Sequence, residues 1–318
     1  MIQPSDAVRT FTRAELRIRP AQPEDRLAIE AIAAQTWDGE DYLPRVINQW
    51  LSDPSGGFYV ADLHDQVIGV AKLTRFDDGE WWMEGLRVDP AFHGQGIARI
   101  LHHFVINQAH WRGSGVLRFS TGSDNEATFK LARESAFKLG AKFVHYFAGA
   151  LDEPLQGLRR LSFDDLPRVV DWLEGSERFA LAQRSMEHDW TFHLITPEKL
   201  GKRLAAGLVY GWPLGEDRAL LGGVALLNPT GKERFAGDPS LKIAYFDAAD
   251  SELAAAARDL RRLATGLHHD TVELKPVQQP TLIAALESAG YGQDWDGELC
   301  LFARDVILTL RAQVQNED

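Results

Sequence analysis

Cysteine is almost absent from this chain of 318 residues, which contains Cys300 alone. A single cysteine excludes an intramolecular disulfide and favours a reducing compartment. Long apolar runs are also absent: no stretch of 18 apolar residues occurs, and the first ten residues lack the apolar segment of a secretory signal. We therefore predict a cytoplasmic protein that does not use a membrane as a partner.

Basic residues are scarce as well, with 34 Lys and Arg against 46 Asp and Glu. The net charge of −12 argues against nucleic acid as a partner and favours cationic or zwitterionic small molecules. The imbalance is uneven, because residues 1–150 carry 16 basic and 19 acidic side chains, whereas residues 151–318 carry 18 and 27. The length predicts about two domains, each large enough for its own core.

One stretch combines a strand, a glycine loop and the start of a helix. Trp81 to Val88 is rich in aromatic and β-branched residues, and Asp89-Pro90 ends this strand. The loop His93-Gly94-Gln95-Gly96 follows, and Ile97 opens an apolar pattern of helical spacing. Backbone N–H groups and the positive end of the helix dipole then point at one place, which predicts a phosphate or pyrophosphate site.

Two common nucleotide motifs do not fit this loop. A Walker A loop needs Lys-Ser/Thr after its last glycine, where this chain has Ile97-Ala98. A dinucleotide fingerprint needs a small residue three positions after Gly96, where this chain has Arg99. The alternative interpretation is an ordinary strand-to-helix turn whose glycines supply positive φ.

The loop does fit the pattern V-x-P-x-x-(R/Q)-G-x-G-(I/L)-(A/G). The matching residues are Val88, Pro90, Gly94, Gly96, Ile97 and Ala98. Here the sequence resembles the GNAT superfamily of acyl-CoA-dependent N-acetyltransferases. His93 departs from the pattern, because the family usually has Arg or Gln at that position. The resemblance implies acetyl-CoA as the cosubstrate and no metal.

The resemblance also implies which residues bind the coenzyme, with the strand edge against the pantetheine arm and the loop against the diphosphate. The implied ligands are Leu86, Arg87, Val88, His93, Gly94, Gln95, Gly96, Ile97, Ala98, Arg99 and Asn125. Asn125 is equally well explained as a helix N-cap. Many family members protonate the leaving thiolate with a tyrosine at the position of Ala132, so this chain has no general acid there.

The order of predicted elements extends the resemblance over the first half of the chain, as β-α-α-β-β-β-loop-α-β-α-β. After the glycine loop and its helix we predict a strand from Gly115 to Thr121, a helix from Asn125 to Leu139 and a strand from Ala141 to Ala148. A similar order recurs in the second half, where Asp247-Ala248-Ala249-Asp250 stands in place of the glycine loop.

We therefore predict a mixed α/β fold with two GNAT-like domains in tandem, each a mostly antiparallel sheet flanked by helices. Residues 1–15 are predicted to be a leader, residues 16–152 the catalytic domain with the acetyl-CoA loop, and residues 153–318 a GNAT-like domain without a coenzyme loop.

Acetyl transfer to an amine needs a base but no enzyme nucleophile. Glu84 is the first candidate, since strand alternation places it on one face with Trp82 and Leu86. A carboxylate between apolar side chains suits a general base. The alternative is that Glu84 is a structural partner of Arg87.

The resemblance places the loop from Trp37 to Leu43 over the coenzyme thiol. Asp41 can attract a cationic amine there, while Trp37, Tyr42 and Trp82 can line its pocket; a plain solvated turn is the alternative. The residues D-Y-L-P at 41–44 and Asp53-Pro54 look like the subgroup that contains histidine N-acetyltransferases. That likeness implies the α-amine of a free amino acid or another small molecule.

The sequence thus predicts an acetyl-CoA-dependent N-acetyltransferase for a small-molecule amine, as a monomer or homodimer. Two alternatives stay open. One is an acetyltransferase for protein N-termini or lysines. The other is a non-catalytic acyl-CoA-binding or assembly module, which the departures at His93 and Ala132 suggest.

Overall fold

The structure is a computed structural model that describes residues 12–36, 39–214, 220–229 and 240–308. The strands are β1 Leu16–Pro20, β2 Gly57–Leu63, β3 Gln66–Asp77, β4 Glu80–Val88, β5 Gly115–Gly122, β6 Lys138–Phe143, β7 Tyr146–Gly149, β8 Arg159–Arg160, β9 Ser185–His188, β10 Thr191–Leu194, β11 Val209–Leu214, β12 Leu220–Leu227, β13 Ser240–Ala248, β14 Thr271–Leu274, β15 Gly292–Gln293 and β16 Leu299–Val306. The helices are α1 Arg26–Ala33, α2 Leu43–Leu51, α3 Ile97–Arg112, α4 Glu126–Glu134, α5 Leu166–Glu174, α6 Glu177–Leu181, α7 Pro197–Ala205, α8 Leu253–Gly266 and α9 Pro280–Ser288.

The first sheet has seven strands in the order β1-β2-β3-β4-β5-β16-β6. Strands β1 to β4 are antiparallel neighbours, and β4 pairs with β5 in parallel. Apolar residues of α1 and α2, including Ile29, Ile47 and Trp50, form a core with β2 and β3. Helix α3 approaches β3 at Gly69, where an added Cβ would lie 3.0 Å from a Leu101 methyl group. These contacts position the start of α3 beside the end of β4.

The second sheet also has seven strands, in the order β15-β7-β14-β13-β12-β11-β8. β13 and β14 are parallel, and β11, β12 and β13 are antiparallel neighbours. Strands β9 and β10 form a separate antiparallel hairpin. Two mixed sheets with flanking helices confirm the predicted α/β fold class.

The chain divides into two compact units. One comprises residues 1–119, 129–137 and 303–318, and the other comprises residues 120–128 and 138–302. The units are defined by compactness, so the division of the sequence at 152/153 stays a prediction. Most of the predicted leader lies outside the described residues.

Two predicted elements near residue 140 are wrong. The helix expected to reach Leu139 ends at Glu134, because Ala136 takes a positive φ of 59° and the Phe137 N–H donates to the Ala132 carbonyl over 2.9 Å. This is a left-handed helix end without the usual glycine. The single strand expected from Ala141 to Ala148 is two strands, β6 and β7, which belong to different sheets.

None of the helices in the described ranges is both long enough and apolar enough to cross a bilayer.

Candidate active site

Strand β4 carries a β-bulge at Gly85. On β3, Lys72 lies opposite Glu84 and Val70 lies opposite Arg87, so a single β3 residue faces both Gly85 and Leu86. Gly85 has a φ of +65°, and a Cβ there would lie 2.5 Å from the Trp50 ring. Only glycine fits this position, and the bulge turns the β4 backbone out of its regular ladder.

The bulge lies where β4 parts from β5. The parallel register joins Glu80 to Trp82 of β4 with Val116 to Arg118 of β5, and it does not continue beyond Trp82. A splayed pair of parallel strands leaves main-chain donors and acceptors of β4 available to an extended ligand.

The glycine loop that follows β4 is open. Gly94 and Gly96 take φ values of +77° and +82°, and no atom of the described part of the chain lies within 4 Å of a Cβ added at either residue. Gly96 is the N-cap of α3, and no side chain among the described residues caps this helix. Its first N–H groups therefore point into an open space at the positive end of a 16-residue helix.

His93 connects this loop to β4. Its Nε2 lies 2.9 Å from the Val88 carbonyl oxygen. Since a carbonyl can only accept, Nε2 carries the proton in this contact. The ring thus holds the loop against the end of β4.

The loop residues fit a coenzyme diphosphate on two observations. The first is the open, glycine-lined space before α3. The second is Gln95, whose two side-chain polar atoms are buried without a hydrogen-bond partner among the residues described. A buried amide with no partner costs free energy unless a ligand satisfies it. Acetyl-CoA would supply a thioester, which is an activated acetyl group.

Glu84 lies in a polar cluster on β3 and β4. The Thr74 hydroxyl donates to Glu84 Oε1 over 2.6 Å, and Lys72 is the residue directly opposite on β3. Lys72 is only 1% exposed and donates to Asp53 Oδ2 over 2.5 Å. Burial lowers the pKa of Lys72, against the opposing effect of Asp53. The prediction that Glu84 shares a face with Leu86 is therefore wrong. The Gly85 bulge places Arg87 on that face instead, opposite Val70, and the Thr74 hydroxyl and the buried Lys72 are polar neighbours of Glu84.

Asp53 balances that ammonium. Partial burial acts to raise the pKa of Asp53, but hydrogen bonds from Lys72 and Ser55 and the charge of Lys72 lower it to about 2. Asp53 therefore stays ionised near neutral pH and binds the Lys72 ammonium on the strand opposite Glu84.

The start of α2 is attached to β4 through Asp41. Its carboxylate accepts from Arg87 Nε over 2.7 Å and from the Leu43 N–H over 3.0 Å. The Arg87 guanidinium lies 5.7 Å from the centre of the Tyr42 ring. The charge of Asp41 is therefore already balanced by Arg87. A contact between Asp41 and an amine stays a prediction. The contacts of Tyr42 with substrate and of Arg87 with the coenzyme also stay predictions. Trp37 lies outside the described residues.

The other predicted site residues are placed as follows. Trp82 is buried and stacks on Phe76 with ring centres 6.0 Å apart. Arg99 pairs with Glu134 at 3.1 Å, and Asn125 Oδ1 accepts from the Thr128 N–H over 3.1 Å, as a helix cap does. Their roles toward substrate or coenzyme stay predictions.

Sequence reasoning missed three features of this site: the Gly85 bulge, the buried Lys72 and the Thr74 contact. The bulge had a signal, since glycine inside a strand pattern often marks one. Lys72 and Thr74 had none, because polar side chains in β3 are typical of an exposed strand face.

The other unit contains an equivalent parallel pair, β13 and β14, whose register stops after Ile243 and Leu274. Beyond it, buried Asp247 accepts from Arg178 Nη1 over 2.9 Å and from the Ser176 hydroxyl. Arg178 also pairs with Asp250. Residues of the chain itself thus surround the strand end that precedes α8.

Comparison with known proteins agrees with this geometry. Residues 25–137 match the acetyltransferase (GNAT) family. The chain carries a GNAT acetyltransferase domain. A GCN5-related N-acetyltransferase from Sphaerobacter thermophilus superposes with a TM-score of 0.61 at 13% identity, covering 94% of this chain and 99% of that one. A tandem GNAT protein from the clavulanic acid biosynthesis pathway superposes with a TM-score of 0.52 at 14% identity, covering 92% and 98%.

Among curated relatives, a histidine N-acetyltransferase from Oreochromis niloticus is 36% identical over 95 residues. That match covers 30% of this chain and 28% of the relative, so the chain spans less than a third of that relative's length. The structural matches support the tandem GNAT fold, and the family match includes β4, the glycine loop and α3 of the GNAT domain.

The position that carries a general acid in many GNAT members holds Ala132, a buried alanine in α4. Tyr146, a possible substitute, donates to Glu287 Oε1 over 2.9 Å. Burial together with Glu287 raises the pKa of Tyr146 to about 12. A phenol with so high a pKa is a poor proton donor near neutral pH.

Proposed function

We propose that this protein transfers an acetyl group from acetyl-CoA to the primary amine of a small molecule, most simply the α-amine of a free amino acid. The observation that carries the proposal is the open, uncapped start of α3 beside the bulged end of β4. The match of residues 25–137 to the GNAT family supports the reaction class, and the similarity to a histidine N-acetyltransferase supports the kind of acceptor.

In this proposal the loop amides from Gly94 to Ala98 and the Gln95 side chain bind the diphosphate. Backbone groups of Leu86 to Val88, after the bulge, hold the pantetheine arm and face the thioester oxygen. An N–H group fixed by the Gly85 bulge can stabilise negative charge there without reorganising.

Glu84 accepts the proton from the acceptor ammonium, so that the free amine can attack the thioester carbon. The new C–N bond forms as the C–S bond breaks, the sulfur leaves as a thiolate, and the nitrogen loses its second proton to water or to that thiolate. A thiol has a pKa of about 8.5, so this leaving group does not require full protonation by the protein. The reaction therefore proceeds without an acid at the position of Ala132.

The energetics favour an α-amine. Neutralising an amine with a pKa of about 8 costs about 1.4 kcal/mol at pH 7, whereas a lysine amine costs about 4–5 kcal/mol. A single carboxylate base next to a buried ammonium is better suited to deprotonating an α-amine than a lysine amine.

We further propose a cytoplasmic location and a monomer or homodimer that needs no metal. The acidic composition supports a cationic or zwitterionic acceptor. It also argues against a nucleic-acid partner.

Thiol release tests the proposal, with purified protein, acetyl-CoA and a panel of free amino acids, simple amines and short peptides. We expect release with at least one free amine. Release with peptides alone would instead indicate a protein N-terminal or lysine acetyltransferase. Tight binding of acetyl-CoA without turnover on any amine would indicate the non-catalytic module.

A further inference from the structure

A buried cation lies directly opposite the proposed base. Lys72 on β3 is 1% exposed and pairs in register with Glu84 on β4. Side chains directly opposite each other on antiparallel strands project from the same face, with Cβ atoms about 4.5–5.5 Å apart. A lysine and a glutamate in this arrangement can form an ion pair. A carboxylate that holds an ammonium is a weaker proton acceptor, because the positive charge stabilises its ionised form.

The Lys72 ammonium is turned toward a different carboxylate. Its Nζ donates to Asp53 Oδ2 over 2.5 Å and to the Leu73 carbonyl over 2.7 Å. Burial lowers the pKa of Lys72, whereas Asp53 raises it, and the charge of Glu84 raises it to a smaller extent. Glu84 accepts from the hydroxyl of Thr74, which lies two residues beyond Lys72 on β3. Asp53 is thus the main partner of the ammonium.

The turn that follows α2 presents Asp53 to Lys72. Asp53 Oδ1 accepts from the Ser55 N–H over 2.9 Å, from the Ser55 hydroxyl over 2.7 Å and from the Gly56 N–H over 3.2 Å. Oδ2 is thereby aimed at the ammonium. A Cβ added at Gly56 would lie 2.5 Å from both Asp53 Oδ2 and Lys72 Nζ, so the turn packs tightly against the pair. The Asp53 carboxylate is therefore oriented by its own turn.

We propose that Asp53 is a positioning residue that holds the Lys72 ammonium away from Glu84. The Glu84 carboxylate can then accept the proton of the acceptor ammonium. Asp53 acts through Lys72 and touches neither substrate. This inference rests on the proposed function, in which Glu84 is the base.

Asp53→Asn tests the inference, because asparagine can keep the turn. Its Oδ1 accepts the same N–H groups, and its Nδ2 then faces Lys72 as a second donor. The ammonium must find another acceptor, and Glu84 lies directly opposite it. We expect kcat/KM with the best amine to fall about tenfold or more.

Asp62→Asn is the matched control, since Asp62 is another buried carboxylate of the same sheet and pairs with Arg19 over 2.7 Å. It should leave kcat/KM unchanged. An unchanged kcat/KM for Asp53→Asn, or a loss no larger than that of the control, would overturn the inference.

The same substitution in a Lys72→Met background shows whether Asp53 acts through Lys72. Methionine carries no charge to hold, so Asp53→Asn should change kcat/KM by less than about twofold there, whatever the rate of Lys72→Met itself. This comparison holds even if Asp53→Asn alone is too unstable to assay, because the double variant contains no unpaired buried ammonium. A further tenfold loss in the Lys72→Met background would overturn the inference.

A crystal structure of the Asp53→Asn variant gives a readout that does not depend on turnover. We expect Lys72 Nζ within hydrogen-bond distance of a Glu84 carboxylate oxygen. An ammonium that remains on the Leu73 carbonyl and away from Glu84 would contradict the inference. Absence of thiol release from the wild type with every amine would instead refute the proposed function, while the position of Lys72 still shows which carboxylate holds it.

Discussion

The two repeats share a β-bulge in their central strand and differ in the side chains beside it. In the GNAT domain, β4 bulges at Gly85, and in the other unit β13 bulges at Ala244, between Ile243 opposite Leu227 and Tyr245 opposite Leu226. In both strands the pairing with the parallel neighbour ends before the bulge, at Trp82 and at Ile243. A bulge in the central strand is therefore common to both repeats.

The side chains beside the bulges differ in kind. Before the first bulge Glu84 faces Lys72, whereas before the second Ile243 faces Leu227. After the first strand comes an open glycine loop. After the second, Asp247 and Asp250 are held by Arg178. The same strand geometry is thus followed by an open glycine loop in one repeat and by ion pairs of the chain itself in the other.

The largest expected effect comes from the carboxylate that only the first repeat has. Glu84→Gln should lower kcat/KM by about 10²-fold or more, because the amide cannot accept the ammonium proton. The pH–rate profile with the best amine should change shape as well. Glu30→Gln on α1 is the control for loss of one carboxylate. An unchanged rate and profile would show that Glu84 is not the base.

The second-largest effect concerns the ion pair between Arg178 and Asp247 in the other repeat. Arg178→Met should destabilise the protein by about 3 kcal/mol or more in chemical denaturation, since Asp247 is 1% exposed and would lose its cation. Arg184→Met is the control, because its pair with Glu174 is half exposed and contributes little. A loss as small as that of the control would show that Arg178 does not maintain the closed strand end.

The third effect concerns the glycine loop. Gly96→Ala should lower stability, because alanine at a φ of +82° costs about 1–2 kcal/mol, and it should raise the KM for acetyl-CoA about tenfold, because its methyl group enters the open space before α3. Gly79→Ala, at a φ of +72° with ordinary contacts, should lower stability similarly but leave this KM unchanged. Equal effects of both variants on the KM would contradict a coenzyme contact at Gly96.

The smallest effect is a pH dependence of stability. The pKa of Asp53 is about 2 in the folded chain and about 3.9 in an unfolded one, so its contribution is present above about pH 4 and lost as the pH falls toward 2. The stability difference between wild type and Asp53→Asn should shrink over that range in thermal denaturation. A constant difference would mean that the Lys72 pair does not depress this pKa.

Much of the first repeat could be predicted from sequence, since strand, Asp89-Pro90, glycines and Ile97 are local signals. The end of α4 could not, because Ala136 adopts the left-handed region without a glycine. The positive φ of Trp190, in the turn between β9 and β10, could not be predicted for the same reason, because that turn contains no glycine. The placement of β16 in the first sheet rests on long-range pairing, which local patterns do not encode.

The most direct test of the central claim is the stoichiometry of acetyl-CoA binding to the full chain by titration calorimetry, for wild type and Gly96→Val. The open start of α3 and the closed strand end at Asp247 predict one equivalent per chain for wild type and a strongly weakened affinity for the variant. Two equivalents, or one equivalent that the substitution leaves unaffected, would contradict the account.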